Sequence, residues 1–218
     1  MIISNFLIYS DLYLLLLPKL NTICCVDFVE TEVDPQALVH NREERFNVPL
    51  FRKLGEIGLL GVTADVEYGG SGMDATAAVI AHEELAASDP AFCLSFLAHS
   101  MLFVNNLNQN GNADQKAKYL PGTCDGSMIG GMGMSEPAAG TDVMGMATTA
   151  TKSADGSHYV VNGTKMWITN GTTDGKNTGD VFLVYAKTGK GRSAKDVSAF
   201  LIDKTMPGFS LGQKIEDK

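Results

Sequence analysis

Apolar residues recur at helical spacing along the first half of the chain, and alternate or cluster between turn residues along the second. Pro49 precedes Leu50, Phe51, Leu54, Ile57 and Leu60, with Gly61 after them. Proline suits a helix start, where its missing N–H is not needed, and glycine suits the position past the end. A helix from Pro49 to about Leu60, with Gly61 past its end, is predicted. Tyr68-Gly69-Gly70-Ser71-Gly72 reads as a loop, and Asp74 as the N-cap of an alanine-rich helix to about Ala87. Pro90 opens a helix through Leu107 that is apolar on nearly every side, as a core helix is, and Gly111 closes it. Asn112 with Gln115 forms a capping-box pattern for a short helix expected to stop before Pro121.

From about Gly130 the pattern changes. His158 to Val161, the Asn162-Gly163 pair and Thr164 to Thr169 read as a β-hairpin with a type I′ turn. In that strand Trp167 and Thr169, two apart, fall on one face. Val181 to Ala186 and Ser198 to Asp203 are two further strands around a glycine- and lysine-rich loop. Helices first and strands afterwards predict an α+β chain, an N-terminal all-α domain followed by an antiparallel β domain. No internal repeat is visible. The glycine pairs do not lie in a strand-to-helix turn of a βαβ unit, which argues against a Rossmann site.

Composition narrows the function. A net charge of −8 leaves no basic excess to neutralise a nucleic-acid backbone, although local N–H groups can still hold a phosphate-bearing cofactor. Cys24, Cys25, Cys93 and Cys124 lack metal-ligand spacing, and His82, His99 and His158 are scattered without triad partners. His99 is read as a satisfied core histidine and no metal site is expected. Glu83 and Glu84 diverge around a helix and cannot converge on one substrate atom, so they read as a solvated face. Residues 1–26 stand apart as an atypical, disordered N-terminus. Phe6 to Leu17 is apolar but interrupted by Ser10 and Asp11 and ended by Pro18, too short for a membrane span. No clear targeting peptide is present. The last residues, Ile215-Glu216-Asp217-Lys218, fall inside a pattern expected to continue, and the chain is read as a fragment.

Two segments carry the chemistry. Met132-Gly133-Met134-Ser135-Glu136-Pro137-Ala138-Ala139-Gly140-Thr141-Asp142-Val143 offers backbone N–H groups and hydroxyls on a loop broken by proline and glycine. Met166-Trp167-Ile168-Thr169-Asn170-Gly171 adds an aromatic face and a hydroxyl. One could bond the edge of a planar heterocycle while the other stacks on its face. Together they resemble the flavin-binding segments of the acyl-CoA dehydrogenase family. The likeness runs from about Phe28 to the last residue and is nearest the short- and branched-chain, isovaleryl-type members.

The resemblance implies a helical domain over 27–129 and an incomplete middle β domain over 130–218, without the family's C-terminal helical bundle. It implies FAD as cofactor, contacted by Met132, Met134, Ser135, Gly140, Thr141, Trp167, Ile168 and Thr169. Thr141 also aligns with a position that touches acyl-CoA. Asp142 is expected to order the loop rather than move protons. The implied activity is α,β-dehydrogenation of a short or branched acyl-CoA. Electrons then pass to an electron-transferring flavoprotein, in a homotetramer of the mitochondrial matrix or the bacterial cytoplasm. The family's glutamate base belongs to the bundle, so no catalytic residue is assigned here. An acyl-CoA oxidase fragment and a non-catalytic flavin-binding or interaction module stand as alternatives.

Overall fold

The computed structural model describes residues 25–215. The atypical N-terminus lies almost wholly outside that range, as do the last three residues. Five helices come first. Residues 25–42 form α1, with a π turn at Val29–Val33, and Val48–Glu56 form α2. Ala75–Ser88 form α3, Pro90–Asn110 form α4, and Ala113–Cys124 form α5. Local chemistry accounts for most of their starts. The carboxylate of Asp74 accepts the Ala77 N–H at 3.0 Å, and that of Asp89 accepts the Phe92 N–H at 2.9 Å. Asn112 and Gln115 exchange side-chain bonds with each other's backbone N–H, as the capping box requires.

Two helix ends differ from the sequence pattern. α2 stops at Glu56, because the chain turns at Gly58 and the Leu59 N–H returns to the Leu54 carbonyl at 2.8 Å. Leu60 is nonetheless fully buried. α5 runs through Pro121 to Cys124 instead of ending before the proline. Proline removes one helical bond, but the Thr123 hydroxyl donates back to the carbonyls of Tyr119 and Leu120 at 3.0 and 3.1 Å and steadies that turn.

Five strands form one sheet: β1 (Gly130–Gly133), β2 (Thr149–Lys152), β3 (Tyr159–Asn162), β4 (Val181–Lys187) and β5 (Val197–Asp203). The sheet is mixed rather than antiparallel, which corrects the expectation. β4 pairs antiparallel with β5 over its whole length, parallel with β1 over its first four residues, and parallel with β2 at Lys187. The parallel pair of β1 and β4 arises because the long excursion from 134 to 180 returns the chain to the same end of the sheet.

The hairpin is also placed differently. β3 pairs with β2, which precedes it, and the turn is at 153–158, where Asp155 accepts from both Ser153 and Ser157. Asn162-Gly163 is no type I′ turn, and residues 164–169 form no strand. A Cβ at Gly163 would fall 2.3 Å from the Thr148 hydroxyl, so glycine here permits two segments to cross.

Two apolar clusters form the core. Phe51, Leu54, Leu85, Phe96 and Ile129 belong to one, within the helical half; Phe103, Val104, Leu120, Val181 and Leu183 belong to the other, which joins that half to the sheet. α4 bridges both. It is long and apolar enough to cross a bilayer, with mean hydropathy 1.2, yet half of it is buried within this fold. Its middle, Ala98–Asn105, is π-helical and lies against β1. Gly130 makes that approach possible: a Cβ there would meet the Phe103 ring at 2.5 Å.

Candidate functional site

A cleft opens where β1 ends and the π segment of α4 passes over it. Its walls are Met132, Met134 and Ser135 from one stretch, Met166, Trp167 and Thr169 from another, and Ala98 and Leu102 from α4. π turns within helices recur at functional sites, and this one presents Ala98 and Leu102, one helical step apart, to the cleft. The expected residues Met132, Met134, Ser135, Trp167 and Thr169 therefore do meet in one place. Ile168 is not part of the lining; its Cδ1 lies 3.5 Å from where a Cβ on Gly133 would be. Gly140 and Thr141 lie on an exposed loop outside the lining, and nothing approaches within 4 Å of a Cβ placed on Gly140. The helix residues Ala98 and Leu102 went unassigned because they read only as core.

Trp167 is not on a strand. It has φ +57°, a left-handed conformation that bulky residues rarely adopt and that costs about 1–3 kcal/mol. The residue is 57% exposed. Both costs are borne at a cleft wall, which suits a flat ligand stacking on the ring. Asn170, also left-handed at φ +64°, anchors the segment from below. Its amide donates to the Ser95 carbonyl at 2.9 Å and the Gly130 carbonyl at 3.1 Å. The Ser135 and Thr169 hydroxyls have no partner among the described residues and remain available to a ligand edge.

Beneath the cleft lies an ion pair that the sequence pattern did not single out. Lys165 Nζ donates to Glu136 Oε1 at 2.8 Å and to the Met134 carbonyl at 3.0 Å, and both charged side chains are 6% exposed. Glu136 also accepts the backbone N–H groups of Ala147 at 2.6 Å and Thr148 at 3.0 Å. Burial pushes its carboxyl upward, but the Lys165 ammonium and these amides prevail and hold it at about 2. A further bond, Met166 N–H to the Ser135 carbonyl at 2.9 Å, ties the two cleft segments directly. Nearer the surface Asp142 pairs with Arg192, consistent with a loop-ordering role.

The other titratable candidates lie elsewhere. His99 is fully buried; its Nε2–H donates to the Thr123 carbonyl at 2.8 Å and its Nδ1 accepts the Gly130 N–H at 2.9 Å. Burial lowers it to about 4 against smaller raising effects of Thr123 and Asp180, so it is neutral and structural. Glu83 is exposed, His158 is exposed, and Cys93 and Cys124 are buried thiols raised by desolvation. Among the described residues no cluster of three or more His, Cys, Asp or Glu groups is arranged to hold a metal.

The acyl-CoA dehydrogenase N-terminal domain model matches residues 25–127 and the acyl-CoA dehydrogenase middle domain model matches residues 131–218. A mitochondrial isovaleryl-CoA dehydrogenase of Pongo abelii is 42% identical over 193 residues, covering 87% of this chain and 44% of the relative. The chain thus spans less than half the length of that relative. A structure of the electron transferring flavoprotein of Acidaminococcus fermentans superimposes with TM-score 0.83 at 34% identity, over 92% of this chain and 50% of that one. An acyl-CoA dehydrogenase of Bacillus anthracis in complex with FAD gives TM-score 0.78 at 33% identity, over 92% of this chain and 32% of that one. Two matched domain models, in family order and together covering nearly all of the described residues, make this chain a member of the acyl-CoA dehydrogenase family.

Proposed function

We infer that this chain supplies the flavin-binding portion of an FAD-dependent acyl-CoA dehydrogenase acting on a short or branched acyl group. The observation that carries the reading is the cleft itself. A strained, exposed tryptophan and two unpartnered hydroxyls converge at the end of β1, in a chain of this family. The donor set fits a flavin ring: Ser135 and Thr169 can donate to its polar edge, and Trp167 and the methionines offer apolar faces. When bound, FAD supplies the hydride-accepting chemistry. Met132, Met134, Ser135, Trp167 and Thr169 would bind and orient the ring, with Ala98 and Leu102 of the π segment lining the same cleft. Gly140, Thr141 and Ile168 are assigned supporting contacts, with Thr141 also assigned to the acyl-CoA.

The base that removes the substrate's α proton is assigned to the part of the family fold beyond this chain, because no carboxylate among the described residues lines the cleft. The isovaleryl relative supports a short, branched substrate, and the flavoprotein match supports an electron-transferring flavoprotein as acceptor. By the same likeness we place the whole protein in a homotetramer of the mitochondrial matrix, or of the cytoplasm in a bacterium. Domain boundaries follow the change from helix to strand, 27–129 and 130–218.

FAD titrated into the 218-residue chain tests the core of this reading. Saturable binding with quenching of tryptophan emission is the expected result, since stacking on Trp167 brings the two rings together. An unchanged emission at saturating FAD would remove the flavin assignment.

A further inference from the structure

The two segments that wall the cleft are about thirty residues apart in sequence, and their meeting is set by a few bonds. Lys165 Nζ reaches the Met134 carbonyl and the Glu136 carboxylate, and its third donor points to Met146 Sδ at 3.8 Å. Glu136 in turn receives the Ala147 and Thr148 amides, so it closes the exposed 137–146 loop at its base. The same residue exchanges backbone bonds with Ala139, at 3.0 and 3.1 Å, at the start of that loop. One ammonium and one carboxylate therefore join three stretches of chain, and both are almost fully removed from water. A buried pair of this kind is weak evidence for added stability, since desolvation offsets attraction. What it specifies is geometry. Lys165 lies two residues before Trp167, whose left-handed backbone persists only where its surroundings over-determine it. The Asn170 anchor holds the segment on one side of Trp167, and Lys165 holds it on the other.

We propose that Lys165 and Glu136 are positioning residues for the flavin site, the pair that sets Trp167 against Met134 and Ser135 and fixes the base of the loop carrying Thr141. This role builds on the flavin reading above, and the test separates the two.

Trp167 is the sole tryptophan of the chain, so its emission reports its own surroundings. Lys165→Met, Glu136→Gln and the double variant of the 218-residue chain are compared with the parent by tryptophan emission, FAD titration and urea unfolding. Each single variant is expected to lose stability, shift the emission and weaken FAD binding by about tenfold or more, the scale on which misplaced groups act. The double variant regains stability because no lone charge stays buried. It regains neither the emission nor the affinity, because the tether to the Met134 carbonyl is still missing. A merely structural pair would let all three readouts recover together in the double variant. That recovery overturns the proposal, as does parent-like emission and affinity in Lys165→Met. Should Lys165→Met lack native far-UV circular dichroism, Glu136→Gln decides on the same readouts, since it keeps the shape but sets an amide N–H against the Ala147 N–H at the base of the loop. If the parent itself fails to bind FAD, the flavin reading falls, and the emission of the variants still decides whether the pair positions Trp167.

Discussion

His99 accepts the backbone N–H of Gly130 on Nδ1 at 2.9 Å, which pins the π segment of α4 to the first residue of β1. That bond requires a neutral imidazole, because a protonated ring would present a donor to a donor. The folded ring is held at about 4, below the unfolded value of about 6.5. Between these values the unfolded chain takes up a proton that the folded chain refuses. Stability from this group is therefore complete above pH 6.5 and is lost as pH falls towards 4. The loss is on the order of 3 kcal/mol in all. Urea midpoints at pH 7.5, 6.0 and 5.0 should fall in that order, and His99→Gln should flatten the trend. Equal midpoints for the parent at pH 7.5 and 5.0 would contradict this.

Trp167→Ala should weaken FAD binding by about tenfold or more, since it loses about 0.5–1.5 kcal/mol for a stacked ring in addition to the ring's buried area. Glu83→Ala should change neither the affinity nor the flavin spectrum, because Glu83 lies on the exposed side of α3. Titrating FAD into both variants separates a cleft wall from a solvated face. Parent-like affinity with an unchanged spectrum in Trp167→Ala would leave its exposure and its strained backbone without a ligand to explain them.

The helical half was legible because its signals are local. Asp74, the Asn112 and Gln115 pair, and Pro90 act within one turn of the residues they organise. β4 and β5 were legible too, as runs of apolar residues. β1 was not. Gly130, Gly131 and Gly133 carry no side chain to signal a strand, and the reasons for glycine lie far off in sequence: the Phe103 ring beside Gly130, and the Thr169 carbonyl and Phe182 ring beside Gly131. The hairpin was misplaced for a similar reason. Asn162-Gly163 is a strong local turn signal, but the path of residues 164–169 is set by Lys165 reaching Glu136 across 29 positions. Glu136 itself read as part of a turn, and only the fold shows it as the hub of the loop.

Gly130→Ala should destabilise the chain by about 1–3 kcal/mol, the range for overpacking a filled core. The added Cβ would lie 2.5 Å from Phe103 Cδ1 and 2.6 Å from Cγ, and the ring is fully buried with nowhere to retreat. Gly140→Ala is the control, since its Cβ meets nothing within 4 Å, and its stability should stay within about 0.5 kcal/mol of the parent. Urea unfolding of both variants checks the contrast. A Gly130→Ala chain as stable as the parent would show that α4 and β1 can separate without cost.

Asp203, at the end of β5, is 7% exposed and holds the sheet to α5 through Tyr119, whose hydroxyl donates to it at 2.8 Å. Lys118 reaches the same oxygen at 3.2 Å, but its side chain is 61% exposed. The two partners therefore differ in what their loss should cost. An exposed ion pair contributes roughly 0–1 kcal/mol, because water screens it and the lysine must be ordered to make it. A buried hydroxyl bonded to a carboxylate contributes about 1.5–3 kcal/mol. Tyr119→Phe should thus destabilise clearly more than Lys118→Met. The Thr205 hydroxyl, with Tyr119, Lys118 and the Thr205 amide, outweighs burial and holds the Asp203 carboxyl at about 2. Its contribution is present above the ordinary carboxylate value and is lost as pH falls through about 2, so the difference between the two variants should narrow in strong acid. Urea midpoints of both at pH 7 and pH 2 test the order and the trend. A larger loss in Lys118→Met than in Tyr119→Phe would mean that charge attraction at the rim, and not the buried hydroxyl, holds the sheet to the helical half.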